Sequence, residues 1–145
     1  MWRKKGFVLS KQRVFVPSGE LNDLLDCAVQ DFHAALAFAD ADPAYIKDHI
    51  FGGHLQGCIE KLIKVALLNA GLKYPHSHDI RNLFGVFRIQ GNRVPSKFDH
   101  LTELTIYATK ARYGLGPQRP PLDRVWYLNL VRDFAAWLDL DVYLR

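Results

Sequence analysis

The residues best suited to chemistry gather in one stretch of the chain, 54–79. His54 and Cys58 lie one helical turn apart, and His76, His78 and Asp79 follow close together. Imidazole, thiolate and carboxylate groups are common metal ligands, but neither spacing matches the paired ligand sets of structural zinc sites. We therefore predict no metal site and assign these residues to capping and packing.

Sequence motifs of the common enzyme classes are missing from the chain. It has neither the GxGxxG nor the GxxxxGK[ST] pattern, and no serine or cysteine nucleophile signature. The absence of these motifs argues against hydrolases, dinucleotide enzymes and NTPases. We accordingly predict no cofactor.

Three charges interrupt an otherwise apolar stretch. Glu60, Lys61 and Lys64 are the charged residues between positions 59 and 71. Glu60 precedes Lys64 by four residues, which is the favourable order for an ion pair within a helix. The alternative is a polar groove that takes up these charges, and the sequence leaves both interpretations open.

If the charges lie in a polar groove, the function that this groove predicts is anion binding. Lys64, the helix start at His78 and Asp79, and Arg112 are its candidate ligand-binding residues, and Tyr113 follows Arg112 directly. Arg112 ends a predicted helix, where a cation complements the helix dipole, and it precedes a Gly/Pro connector that can leave room for a ligand. A surface arginine that only caps carbonyl groups is the alternative.

The element that must position these residues is one long helix, predicted over 43–70. Asp42 is a suitable N-cap, Pro43 fits the first helical position, and Gly71 supplies the left-handed residue after the helix. From Ile59 onward this helix is apolar on nearly every side, which predicts a central position in the fold.

Four further helices surround it in the prediction. Apolar residues recur at helical spacing over 18–40, 79–89, 96–113 and 122–143. Ser96 with Asp99 reads as a capping box, and the last helix is predicted to turn Val125 and Trp126 inward. No strand pattern is visible, so we predict an all-α fold, an up-and-down bundle of about five helices around one long central helix.

Composition and charge divide the chain into two parts. It has 145 residues and a formal charge of +4, and five basic residues precede the first acid. We predict a basic N-terminal arm or hairpin over 1–17 and one helical domain over 18–145. Cys27 and Cys58 fall on apolar helix faces, which predicts buried free thiols and a cytoplasmic protein without a membrane span.

Two glycines suggest contact with a second chain. Gly53 and Gly57 lie four residues apart in the predicted central helix, where each costs about 1 kcal/mol relative to alanine. They form a small-residue face that another helix could approach, or they mark a kink. Together with the apolar surface of this helix, they predict a homodimer.

The motifs in this order resemble a known family. HLQGCIEKLIKVALLNAGLKYPHSHDI is similar to the signature of HEPN domains, with a Glu-Lys-x-x-Lys run, a Gly stop, a Pro, and a His-Asp pair that opens the next helix. LTELTIYATKARYG resembles their penultimate helix ending in Arg-Tyr. The resemblance covers roughly residues 18–138. It implies a helical bundle, usually homodimeric, that accompanies a minimal nucleotidyltransferase or acts as a toxin-type ribonuclease.

The chain departs from the ribonuclease members of that family. Those members pair an arginine with a histidine four to six residues on, as phosphate clamp and general base for a 2′-hydroxyl. No such histidine follows Arg112, and the one spacing match joins Arg93 to His100 across Val94 and Pro95.

Two functions therefore stand as hypotheses. The first is a non-catalytic binding module of toxin–antitoxin type, which binds a nucleotide or RNA or docks a nucleotidyltransferase protein. The second is a metal-independent endoribonuclease that uses Arg93 and His100. The missing orthodox motif favours the first.

Overall fold

The structure is a computed structural model that describes residues 18–145. All regular secondary structure in this range is helical. The α-helices are α1 (Ser18–Ala37), α2 (Asp48–Asn69), α3 (Ile80–Ile89) and α4 (Arg124–Trp137). Three 3₁₀ helices span Ser96–Ala108, Lys110–Tyr113 and Asp141–Leu144. No strand occurs within 18–145, which confirms the all-α bundle. The predicted arm over 1–17 lies outside the described residues, so the division into arm and domain stays a prediction.

Helix α2 lies at the centre, as predicted. From Ile59 to Leu68 every residue except Lys61 is buried. It packs against α1, α3, α4 and the 3₁₀ helix Ser96–Ala108. Complete burial of one large apolar side chain contributes about 1.5–3 kcal/mol to the hydrophobic driving force, so α2 is the main source of core stability.

The prediction that the central helix begins at position 43 is wrong. Asp42 caps an isolated turn, in which its side chain accepts from the Ala44 N–H at 2.9 Å. Lys47 is then extended, and α2 begins at Asp48. The backbone leaves the helical conformation at Lys47, where ψ is 157°. A tertiary contact lies at this break, because the Ile46 carbonyl accepts a hydrogen bond from the Arg124 guanidinium at 2.6 Å.

The ends of α2 and α3 follow the predicted signals. Gly71 adopts a left-handed φ of 78°, and the Leu72 N–H donates to the Leu67 carbonyl at 2.9 Å, which is the expected termination. Asp79 caps α3 by accepting from the Arg81 N–H at 2.9 Å. These local motifs could be read from the sequence because they need only neighbouring residues.

The fourth predicted helix differs in kind. Residues 96–108 form a 3₁₀ helix that breaks at Thr109, and the predicted capping box is not formed because no side chain caps its start. The hydroxyls of Thr102 and Thr109 donate to carbonyls three residues earlier. Such local bonds compete with α-helical hydrogen bonding.

The last helix is shorter than predicted. It runs from Arg124 to Trp137 and ends where Asp139 has a positive φ of 63°. Val125 and Trp126 are 55% and 42% exposed, so the prediction that they point inward is wrong. The inward face is instead set by Arg124, Tyr127, Leu128 and Val131, which are buried.

The two cysteines differ. Cys58 is buried, as predicted, whereas Cys27 is exposed. The buried stripe of α1 is centred on Ala28, Phe32 and Ala35, and Cys27 lies just off it. Burial raises the pKa of the Cys58 thiol, which keeps it protonated and unreactive.

The glycines of α2 have local explanations. A Cβ atom on Gly52 would lie 2.7 Å from the Tyr107 ring, so Gly52 permits the close approach of the 3₁₀ helix. At Gly53 the nearest atom would be 3.9 Å away. The apolar residues of α2 from Phe51 onward are buried within the chain, whereas Ile50 is 41% exposed and Gly53 has room beside it, so the partner surface stays a prediction.

This contrast yields a stability prediction. Gly52→Ala should destabilise the fold by about 1–3 kcal/mol, because the buried Tyr107 ring must move. Gly53→Ala, the matched control, should stabilise it by about 0.5–1 kcal/mol through helix propensity. Urea denaturation of the two variants measures both effects. Equal changes in the two variants would contradict the assignment of Gly52 as the close-approach residue.

Candidate functional site

An open groove of about 510 Å³ runs along the N-terminal half of α2. Its walls are Asp31 of α1, His78 of the loop before α3, and four residues of the 3₁₀ helices, Tyr107, Ala108, Arg112 and Tyr113. Its floor is the face of α2 between His49 and Lys61. We call this the α2 groove.

Helical spacing places the polar residues of α2 on the groove floor. The α2 residues that line the groove recur at short helical steps; they are His49, Ile50, Gly53, His54, Gln56, Gly57, Glu60 and Lys61. The absence of side chains at Gly53 and Gly57 deepens the groove at its centre. A Cβ atom on Gly57 would lie 2.7 Å from Asp31 Oδ2, so this glycine also makes room for the carboxylate.

Asp31 organises one side of the groove. Its Oδ1 lies 3.0 Å from His54 Nδ1, and its Oδ2 accepts from Lys61 Nζ at 2.6 Å. Asp31 comes from α1 and the other two residues from α2, so this cluster also joins the two helices. A carboxylate here holds one imidazole and one ammonium at the same time.

Glu60 organises the other side in the same way. Its carboxylate accepts from Lys64 Nζ at 2.6 Å and lies 3.0 Å from His78 Nδ1. Gln56 Nε2 donates to Glu60 at 3.0 Å and to the His78 carbonyl at 3.1 Å. The loop that carries His78 is thereby attached to α2.

The Glu60 carboxyl is held ionised by these partners. Burial opposes the charge, but the hydrogen bonds from Lys64, His78 and Gln56 outweigh it, so the pKa of Glu60 is lowered from its ordinary value of 4.5. Lys64 is almost as buried and also lies 5.1 Å from the centre of the Tyr74 ring. The pair is satisfied within the protein.

Arg112 and Tyr113 form the outer edge of the groove. Both are exposed, and the Arg112 guanidinium lies 5.6 Å from the centre of the Tyr113 ring. Lys61, the other fixed cation among the described groove residues, is paired with Asp31, and the neighbouring Lys64 is paired with Glu60. The Arg112 guanidinium has no hydrogen bond or ion pair within 18–145, so its donors face solvent.

The structure brings some of the sequence candidates together and separates others. His78, Arg112 and Tyr113 line the α2 groove, whereas Lys64 and Asp79 do not. Lys64 points to Glu60 and Tyr74, and Asp79 caps α3. The intrahelical ion pair, one of the two open interpretations of Glu60 and Lys64, is therefore formed, and a groove lies beside it.

Arg93 and His100, the ribonuclease alternative, are not brought together. His100 lines a second pocket, beside Arg81, Arg88 and Glu103, and its ring packs edge-on against Trp126 at 5.2 Å. Arg93 is exposed and lines neither pocket. Arg93 and His100 therefore do not share either of these two pockets.

Sequence reasoning missed Asp31, His49 and Lys61 as groove residues. Asp31 lies on a different helix, and nothing in its local sequence indicates that it reaches His54. His49 is visible in the sequence only as the first of the histidines spaced along α2. Within 18–145 no group of three or more His, Cys, Asp or Glu residues is arranged to hold a metal ion.

The chain belongs to the HEPN family. The family model described as HEPN domain matches residues 21–124, which is most of the chain and contains the whole α2 groove. The resemblance noted in the sequence is thus confirmed, and the protein is a HEPN domain protein. No curated protein and no solved structure matches the chain.

None of the helices within residues 18–145 combines the length and apolar character that a bilayer span needs.

The Glu60 network predicts a pH dependence of stability. Because the folded-state pKa of Glu60 is below its ordinary 4.5, the unfolded state binds more protons as the pH falls through that region. The network therefore stabilises the fold above about pH 4.5 and loses its contribution below. Urea denaturation between about pH 6 and pH 3 should show a steeper loss for the wild type than for Glu60→Gln. Asp23→Asn, a control at an exposed position of α1, should keep the wild-type slope, and equal slopes for all three proteins would contradict the assignment.

Proposed function

We propose that this chain is a HEPN binding module that takes the phosphate of a nucleotide or of RNA in the α2 groove and does not itself cleave it. The observation that supports this most is Arg112, an exposed arginine at the groove edge whose guanidinium has no partner within the described residues. Arginine binds phosphate through a planar set of donors.

The surroundings of Arg112 suit a nucleotide. Tyr113 is 71% exposed and stands beside it, so a base can stack on the tyrosine ring while the phosphate binds to the guanidinium. A volume of about 510 Å³ falls within the range of small-molecule sites. These features support ligand binding at Arg112.

The proposal that the chain does not cleave RNA is based on the positions of Arg93 and His100. A ribonuclease of the family type needs its arginine and histidine at one phosphate, and these two occupy different surroundings in the chain. His100 lies close to Glu103 and Trp126, and the arginines of its pocket are Arg81 and Arg88 and not Arg93.

The partner proposals come from the family. HEPN domains often form homodimers or toxin–antitoxin pairs, and we propose that this module pairs with itself and accompanies a minimal nucleotidyltransferase. Co-purification with a nucleotidyltransferase encoded beside it, when the two chains are expressed together, would support the second pairing.

The binding prediction concerns Arg112. Arg112→Ala should weaken binding of adenosine monophosphate by about tenfold or more, because a hydrogen bond to a charged group is worth roughly 1.5–3 kcal/mol. Isothermal titration calorimetry on the full chain measures this. Arg93→Ala, an exposed arginine outside the groove, is the matched control and should bind like the wild type. No variant should cleave RNA. Metal-independent cleavage that His100→Ala abolishes would establish the ribonuclease instead.

The oligomeric state has its own prediction. The chain should elute as a homodimer, with twice the mass of one chain by light scattering at micromolar concentration. A mass equal to one chain under these conditions would remove the homodimer from the proposal and leave the groove proposal intact.

A further inference from the structure

The charges of the α2 groove are arranged so that both of its carboxylates are already neutralised. Asp31 pairs with Lys61 at 2.6 Å, and Glu60 pairs with Lys64 at 2.6 Å. Three cations thus face two carboxylates, and the remaining positive charge is that of Arg112. Among the groove side chains that the structure describes, Arg112 is the one fixed cation without a carboxylate partner, and it lies at the outer edge.

The imidazoles add hydrogen-bonding groups without adding fixed charge. An ionised carboxylate only accepts hydrogen bonds, so the Nδ1 atoms of His54 and His78 donate to Asp31 and Glu60. In the neutral ring the opposite nitrogen, Nε2, then carries a lone pair. A lone pair accepts from a hydroxyl and repels a phosphate oxygen.

These arrangements limit how much negative charge the groove can accept. A first phosphate gains the Arg112 contact. A second or third phosphate, extending over α2, would meet neutralised ion pairs and imidazole lone pairs, while the cost of removing an anion from water remains. Additional phosphate groups therefore gain nothing from the protein.

We infer that the α2 groove selects ligands that present one phosphate group, and that Asp31 enforces this choice by occupying Lys61. The ligand is a nucleoside monophosphate or an internal phosphodiester, and not a nucleoside triphosphate. This inference rests on the proposed binding at Arg112 and specifies the ligand class of the same groove.

The test compares AMP, ADP and ATP, which differ only in the number of phosphates. Calorimetry on the full chain uses buffer with EDTA and no magnesium at about pH 8, where imidazoles are ordinarily neutral. Affinity should stay level or fall from AMP to ATP. The dinucleotide ApA contains an internal phosphodiester. If the natural ligand is a phosphodiester, the affinity for ApA should be within about threefold of that for AMP. If the natural ligand is a monophosphate, the affinity for ApA should be more than about tenfold weaker than that for AMP. Binding of ATP about tenfold tighter than AMP would overturn the inference.

Asp31→Asn provides the decisive variant. This variant keeps the shape of the side chain but removes the carboxylate that pairs with Lys61. Because one positive charge near the ligand is then unpaired, the gain in affinity should be roughly three- to tenfold larger for ATP than for AMP. Asp26→Asn, the matched control, makes the same charge change at an exposed position of α1 that does not line the groove. An equal gain for AMP and ATP with Asp31→Asn, or the same response with Asp26→Asn, would overturn the role of Asp31.

Lys61→Gln tests the same charge balance in the opposite direction and does not depend on Asp31→Asn folding. It leaves Asp31 uncompensated, so ATP should lose more affinity than AMP. If binding depends on Arg112 but ATP binds tightest, the inference fails and the proposed function stands. If the wild type binds none of these nucleotides, both fail.

Discussion

The buried guanidinium of Arg124 is the contact on which the arrangement of the helices depends. It pairs with Asp48 at 2.9 Å, and it donates to the carbonyls of Phe38 and Ile46 at 2.7 and 2.6 Å. One side chain thereby fixes the start of α4, the end of the turn after α1 and the start of α2. Loss of this guanidinium would leave Asp48 and the part-buried carbonyls of Phe38 and Ile46 without these donors, which would destabilise the fold.

The start of α2 in turn decides what lines the groove. Because α2 begins at Asp48, His49 and Ile50 lie in its first turn and face residues 107–113. A Cβ atom on Gly114 would lie 3.2 Å from the His49 ring, so the 3₁₀ turn carrying Arg112 closes directly onto α2. Core packing therefore determines the position of Arg112. In the proposal, Arg112 is the cation that binds a ligand because Lys61 and Lys64 are paired with carboxylates.

Two similar clusters explain how a groove with several charges remains stable. Asp31 and Glu60 each hold one histidine and one lysine, so neither carboxylate is left uncompensated where α1, α2 and the loop before α3 meet. The same pairs that hold these elements together also reduce the net field inside the groove. Structural neutralisation and the proposed ligand selection are thus attributed to one arrangement, and membership of the HEPN family does not by itself specify either.

The sequence alone determined the helical class, the central position of α2, the Gly71 stop, the Asp79 cap and the family. Each of these depends on residues within one helical turn or on a repeated local pattern. The tertiary structure decided the start of α2, the outward turn of Trp126 and Cys27, the separation of Lys64 from the groove, and the pairing of Asp31 with His54 and Lys61. These features depend on contacts between residues that are distant in the chain. Helical periodicity predicts the direction of a side chain only to within part of a turn, so the packing between helices determines which side chains meet.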